Sequence, residues 1–328
     1  MFKILPFEKN AYFSVYQYDA FSFGILQANP KTYPWIYSNF IQYELNSGDV
    51  WLQQRQAILK THIFDSNTIM SPRVIMEEIK QSILNEHYVA GLYDEFYIPQ
   101  KFEYKKNHFL HDFLLYGFDD QTQEFFSYGY IKGEGNYHIC KEFSIKYSDF
   151  IKSILLAQYN DCWTESLYRV KINENLNCNF DRMRLCDELF QYLKQPVLII
   201  NEPINSPCGI CVWKDLYDSI KNATKETFGS VPFLVKIVNE HVQLMLDRLN
   251  YINDNEIEIK SIVKRYTEFA KKSNTNYAMS LKFLLTDNNL ILKRLMNNIN
   301  SMFVEEYTIL RELLNVYIEN HMQIVLQQ

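Results

Sequence analysis

His111 is the residue best placed to do chemistry. It closes the loop Lys105-Lys106-Asn107-His108-Phe109-Leu110 and opens a strand-like run from Asp112 to Phe118, which a turn and a second strand-like run follow. An imidazole exchanges protons near neutral pH, and at the mouth of a strand facing a helix N-terminus it can act as a general base. A surface histidine at a loop end has the same spacing, so the pattern leaves both readings open. Cys208-Gly209-Ile210-Cys211 has the spacing of half a zinc site or of a redox pair. Structural zinc needs four ligands and the sequence has no second pair, while a redox pair belongs in a βαβ setting that is missing here. Two buried thiols at a loop–helix junction is the reading that remains. His241, next to Glu240 in a helical stretch, reads as a packed or capping residue.

The elements that must hold these groups follow from periodicity. Asn10 is a candidate N-cap, and the stretch from Ala11 to Ala28 contains no proline and stops before Asn29-Pro30, which predicts a helix. Phe13, Tyr16, Ala20 and Phe23 or Gly24 recur at spacings of three and four and give it a buried face. Helical segments are expected around Tyr33–Tyr43 and Pro72–Asn85. Strands are expected at Tyr88–Ile98, Phe113–Phe118 and Glu124–Ile131, with Asp119-Asp120-Gln121-Thr122 as a turn. Ser148 before Asp149–Leu156 predicts a capped helix with Tyr147 as staple, and Ser166–Ile172 a last strand. Three strands with short links imply an antiparallel sheet, so the first domain, residues 1–175, is expected to be α+β. Residues 176–328 are expected to be mainly helical, with apolar faces marked by Val242, Met245 and Leu249, by Ile262, Tyr266 and Phe269, and by the stretch Phe303–Ile318.

Composition excludes several classes of function. The 328 residues carry a formal net charge of −6, which argues against a general nucleic-acid binder. Lys101, Lys105 and Lys106 read as solvated surface. Nine glycines stand where average usage would give roughly 23. Gly133-Glu134-Gly135 has neither a third glycine nor a following helix signal, so a nucleotide fold is not expected. Aromatics reach 16%, with 24 Tyr and 23 Phe, which suits aromatic-lined pockets and equally suits an A+T-rich genome. The segment Met1–Lys9 lacks the apolar stretch of a secretory signal and no apolar run is long enough to span a bilayer, so a cytoplasmic protein with six free thiols is expected.

The run Val89-Ala90-Gly91-Leu92-Tyr93-Asp94-Glu95-Phe96-Tyr97-Ile98-Pro99, then His111-Asp112-Phe113-Leu114-Leu115-Tyr116-Gly117-Phe118-Asp119-Asp120, then Glu124-Phe125-Phe126 resembles the papain-fold acyltransferases typified by the butirosin biosynthesis protein H. That family is itself similar to the bacteriocin-processing C39 cysteine peptidases. Cys208-Gly209-Ile210 and Glu240-His241-Val242-Gln243-Leu244-Met245 resemble its helical C-terminal half. Within the family, the aromatic-rich profile is similar to thiotemplated amide synthetases of the closthioamide type.

The resemblance implies a papain-like, C39-like catalytic domain over residues 1–175 and a helical domain over 176–328. It implies acyl transfer from a phosphopantetheine-bound acyl chain on a carrier protein to a small amine acceptor, through a cysteine acyl-enzyme, in nonribosomal biosynthesis. No cofactor, metal, nucleic acid or membrane partner is implied. The family places its nucleophilic cysteine at the start of the first helix, where amide N–H groups and the macrodipole stabilise a thiolate. The matching residue here is Ala11. The chain is then either a relative that lost its nucleophile or a Cys→Ala form of an active enzyme, and retention of the other residues favours the second. His111 would be the general base. An orienting carboxylate on the return strand is missing, since Ser127, Tyr128 and Gly129 stand there, and Asp94 on the neighbouring strand is the preferred replacement. Asp112 points to the face opposite His111 by strand alternation. The alternatives carried forward are a C39-like peptidase and a non-catalytic binding module.

Overall fold

A computed structural model describes residues 1–43, 45, 56–64, 71–133, 138–157, 167–198, 209–223 and 227–327. The chain divides into two compact units, the first made of Met1–Pro30 and Gln54–Leu176, the second of Lys31–Gln53 and Asn177–Gln328. The boundary after Leu176 lies one residue from the expected position. Residues 31–53 depart from expectation, because they belong with the helical unit.

The first unit mixes α and β elements. Its sheet runs in the order β2 (Ile58–His62), β7 (Leu167–Ile172), β3 (Tyr88–Asp94), β4 (Leu110–Asp119), β5 (Glu124–Lys132) and β6 (His138–Lys146), and β1 (Phe2–Ile4) joins at β4. Every pairing among these seven strands is antiparallel. β4 is long enough to take two partners along one edge: β3 covers Leu110 to Leu115 and β1 covers Gly117 to Asp119. Register shifts between Leu115 and Gly117, where a Cβ on Gly117 would stand 2.7 Å from the Lys3 carbonyl oxygen. A glycine suits a bulge into which a neighbouring backbone presses.

Helices cover both faces of the sheet. α3 (Pro72–Leu84) starts as its sequence dictates, with Ser71 Oγ accepting the Val74 N–H at 3.3 Å and proline in the first turn. Its Ile75, Ile79 and Ile83 recur every four residues and are fully buried. α4 (Tyr147–Leu155) sets Phe150 edge-on to Phe113 and Phe125, at 5.1 Å from each. Tyr147 is the first helical residue rather than a staple, and Lys146 is the cap residue, without a side-chain cap bond.

α1 (Gln17–Gln27) begins six residues later than expected, after the extended Tyr16. The N–H of Asn10 turns back to Glu8 Oε1 at 2.8 Å, so Asn10 caps no helix. Gln17 is the reason the helix starts where it does. Its buried amide donates to the Asp112 carbonyl and accepts the Tyr130 N–H at 2.7 Å, pinning the first turn to β4 and β5.

The second unit is helical: α2 (Tyr33–Ser38), α5 (Arg182–Leu198), α6 (Val212–Lys221), α7 (Val231–Asn255), α8 (Lys260–Thr286) and α9 (Asn289–Gln327). Fully buried Arg248 of α7 donates Nε to the Tyr37 carbonyl at 2.7 Å and Nη2 to that of Asn39 at 2.5 Å. These carbonyls end α2, and a guanidinium fork satisfies acceptors the helix cannot. Seven residues earlier on the same side of α7, His241 Nε2 donates to the Ile41 carbonyl at 2.8 Å. The bundle thereby holds a segment about 200 residues away in sequence, which is why residues 31–43 leave the first unit.

Glu306 lies at the centre of the bundle with no exposed surface. It accepts from Trp213 Nε1 at 2.5 Å, Tyr266 Oη at 2.5 Å and Tyr192 Oη at 3.0 Å. Burial pushes its carboxyl above the ordinary range, and the three donors pull the other way.

Candidate functional site

The residues expected to form the site come to rest in different places. Ala11 is not at a helix start. The neighbouring Tyr12 donates its N–H to Oε1 of Gln27 at 2.8 Å, and Gln27 is the last residue of α1. Tyr12 also meets Phe23 edge-on at 6.4 Å. Ala11 therefore sits beside the C-terminal turn of α1, about 16 Å along the axis from its N-terminus. That end presents carbonyl oxygens and the negative pole of the dipole, which disfavour a thiolate.

His111 occupies the sheet face away from α1. Residues directly paired across strands share a face, and Tyr93 pairs with His111 while Leu92 pairs with Asp112. Tyr93 stacks on Phe113 at 5.3 Å, and Phe113 meets Phe150 of α4, so this is the α4 side. Asp112 points the other way, toward α1. The structure thus brings neither Ala11 to an anion-stabilising helix end nor His111 to the face that α1 covers.

Asp94 does not orient His111 either. It caps the single 3₁₀ turn Glu95–Tyr97, accepting the Phe96 N–H at 3.0 Å and the Phe109 N–H at 3.1 Å on Oδ1, while its Oδ2 lies 2.6 Å from His108 Nδ1. The partner of His111 is Glu95, with Oε1 2.7 Å from Nδ1. Sequence reasoning missed Glu95 because a 3₁₀ turn after Asp94 breaks strand alternation and swings the next carboxylate back over the strand mouth. The Nδ1–H of His111 given to Glu95 leaves Nε2 as the basic nitrogen, and the side chain is 30% exposed.

Lys101, expected at the surface, is almost wholly buried behind this pair. Its ammonium donates to the Tyr130 carbonyl, lies 3.8 Å from Glu95 Oε1, and faces the rings of Phe143 at 4.9 Å and Tyr93 at 5.5 Å. Burial lowers its pKa to about 8, and Glu95 and Cys140 oppose that fall. His111, Glu95 and Lys101 thus stand in a row, the imidazole partly exposed and the ammonium innermost.

A second constellation lies under α1, on the other face of the sheet. A cavity of about 150 Å³ is lined by Tyr18, Phe21, Ser22 and Ile25 of α1 and by residues of β2, β3, β4 and β7, among them Lys60, Leu92, Asp112 and Tyr168. Burial raises the Asp112 carboxyl above its ordinary range, against the pull of His111 and Lys60.

Among the described residues no group of three or more His, Cys, Asp or Glu side chains could hold a metal ion. Cys208 and Cys162 lie outside the described residues, so the Cys208–Cys211 pairing does too. Cys211 is buried, and Cys140, Cys178, Cys186 and Cys211 form no disulfide. His241 packs against both Tyr43 and Tyr192, with ring centroids at 3.8 and 5.6 Å. Among the described residues, no helix is long and apolar enough to cross a membrane.

No protein-family model matches the chain, and no curated protein matches it.

Proposed function

We propose that the chain is a non-catalytic binding module built on a papain-like, C39-related fold, and that no acyl-enzyme forms at residue 11. The observation that carries this reading is the hydrogen bond from the Tyr12 N–H to Gln27, which seats Ala11 at the carbonyl end of α1. A sulfur there would meet no helix N–H donors, and the sheet would stand between it and His111. The test is the thiol reactivity of Ala11→Cys toward a disulfide reagent, taken as the difference from the unaltered chain. An ordinary rate that His111→Gln leaves unchanged is expected. A rate raised tenfold or more that depends on His111, or a covalent adduct from an acyl-carrier thioester, overturns the reading.

One observation favours a second reading, the 2.7 Å contact between Glu95 and His111. A carboxylate-oriented imidazole suits general-base attack of a small amine on a phosphopantetheine thioester, or peptide cleavage of the C39 type, with a nucleophile other than residue 11. Amide formed from an acyl-carrier thioester by the unaltered chain, and lost in His111→Gln, would establish it. Absence of turnover removes it.

A further inference from the structure

The cavity beneath α1 exists because a small residue stands in its floor. Tyr168, Ala90 and Leu114 form one row across β7, β3 and β4, and the middle member carries a single methyl group. Phe21 and Ile25 of α1 close the space from the other side, so its wall is mainly apolar. A cavity of about 150 Å³ is of the size that takes benzene, so about six to eight heavy atoms fit. Asp112 lines the same space, level with Leu92 in the register and half-buried. It does not lack positive charge: Lys60, which also lines the cavity, stands as its opposite charge, and His111 adds to this from the other face of the sheet. What the carboxylate lacks is a donor, since no hydrogen bond reaches it from any described residue, although the Asp112 carbonyl accepts from Gln17. A desolvated acceptor without a hydrogen bond is costly until a donor reaches it.

We propose that this cavity binds a small, neutral, hydroxyl-bearing molecule of about the size of phenol, with its O–H donating to Asp112 and its carbon body over Ala90. Charge selects against the other classes. An ammonium would bring a further cation to a carboxylate that Lys60 already balances, and a ligand carboxylate would set two anions side by side. A hydrocarbon would gain the apolar wall but leave Asp112 without its donor, and a site built around a buried polar group discriminates against such an analogue.

The proposal rests on the binding-module reading and names the class of its ligand. The probes are phenol and cyclohexanol, titrated against the full chain at neutral pH by calorimetry and ligand-observed NMR. Toluene and anisole are donor-free controls of similar size, and benzylamine and benzoate are charged ones. Saturable binding of at least one of the two hydroxyl compounds is expected, with all four controls weaker by about tenfold or more. Toluene or anisole binding as tightly would mean that Asp112 takes its donor from water, and overturns the proposal. Benzylamine or benzoate binding as tightly, or no saturation by either hydroxyl compound, overturns it as well. Ala90→Leu locates the site, because the larger side chain fills the floor: binding should be lost with the thermal midpoint kept, and a folded variant that binds as before places the ligand elsewhere. The control series needs no variant, so a misfolded mutant does not decide the matter. Neither result bears on the thiol reactivity of Ala11→Cys, so the two readings fail separately.

Discussion

Oε1 of Glu95 lies 3.8 Å from Nζ of Lys101, with both side chains almost wholly out of water. An ammonium in that position depends on its counter-charge, because removing one partner of a buried pair strands the other. Glu95→Leu should destabilise the first unit by about 3–5 kcal/mol in urea unfolding. Lys101→Met added to it should recover part of the loss, since the stranded charge is then gone. If the two substitutions add to within about 0.5 kcal/mol, the groups are not coupled.

Gly24 lies where the N-terminal segment crosses α1. A Cβ there would stand 2.2 Å from the Phe7 ring and 2.9 Å from the Glu8 carbonyl oxygen. Phe7 cannot swing aside freely, because it stacks on Tyr116 at 5.4 Å and meets Tyr128 at 5.0 Å. Alanine is the better helix former by about 1 kcal/mol, but overpacking costs about 1–3 kcal/mol and should win. Gly24→Ala is therefore expected to lower the thermal midpoint. A midpoint equal to or above that of the unaltered chain would show that the crossing is loose.

Local signals carried the parts of the fold that sequence reveals. Ser71-Pro72 announces α3, and two aromatic runs around Asp119-Asp120-Gln121-Thr122 announce the hairpin of β4 and β5. β1 escapes notice because it is three residues long, and β2 because four of its five residues are exposed and lack the alternation of a half-buried strand. The start of α1 departs from the sequence pattern because Asn10 looks like a cap, whereas the residue that fixes the first turn, Gln17, acts through partners on β4 and β5 about a hundred residues away. The site follows the same rule. His111 and its alternation with Asp112 are visible in one strand, but Glu95 reaches the imidazole through a 3₁₀ turn, and behind it stands a buried loop lysine, Lys101, that no periodicity marks.

Glu306 tests the long-range part of the helical unit. Its three donors stand at residues 192, 213 and 266 on separate helices, so one carboxylate joins α5, α6 and α8 to α9. Glu306→Leu would leave two phenols and an indole N–H without acceptors, and unpaired buried donors cost about 1–3 kcal/mol each. A loss of about 3–5 kcal/mol in denaturant unfolding is expected. Adding Tyr192→Phe and Tyr266→Phe should return much of it, because the orphaned hydroxyls are then absent. Glu306→Leu that unfolds at the same denaturant concentration as the unaltered chain would mean water reaches these donors.

His241 should make the same unit acid-sensitive. Burial and the nearby Arg248 hold its pKa down to about 3, while its bond to the Ile41 carbonyl opposes the fall. The imidazole is stacked against Tyr43 and Tyr192 and stays neutral in the fold, but in the unfolded chain it takes a proton near its ordinary value of 6.5. A depressed folded pKa contributes stability that is complete above about 6.5 and is lost as pH falls toward about 3. The slope for one proton is roughly 1 kcal/mol per pH unit. Glu306, with its raised carboxyl, contributes with the opposite sign as pH rises above the ordinary carboxylate range, so the two must be separated by difference. Unfolding free energies of the unaltered chain and of His241→Phe, measured between pH 7 and pH 4, should converge as the pH drops. Parallel curves would mean that His241 takes up its proton inside the folded bundle.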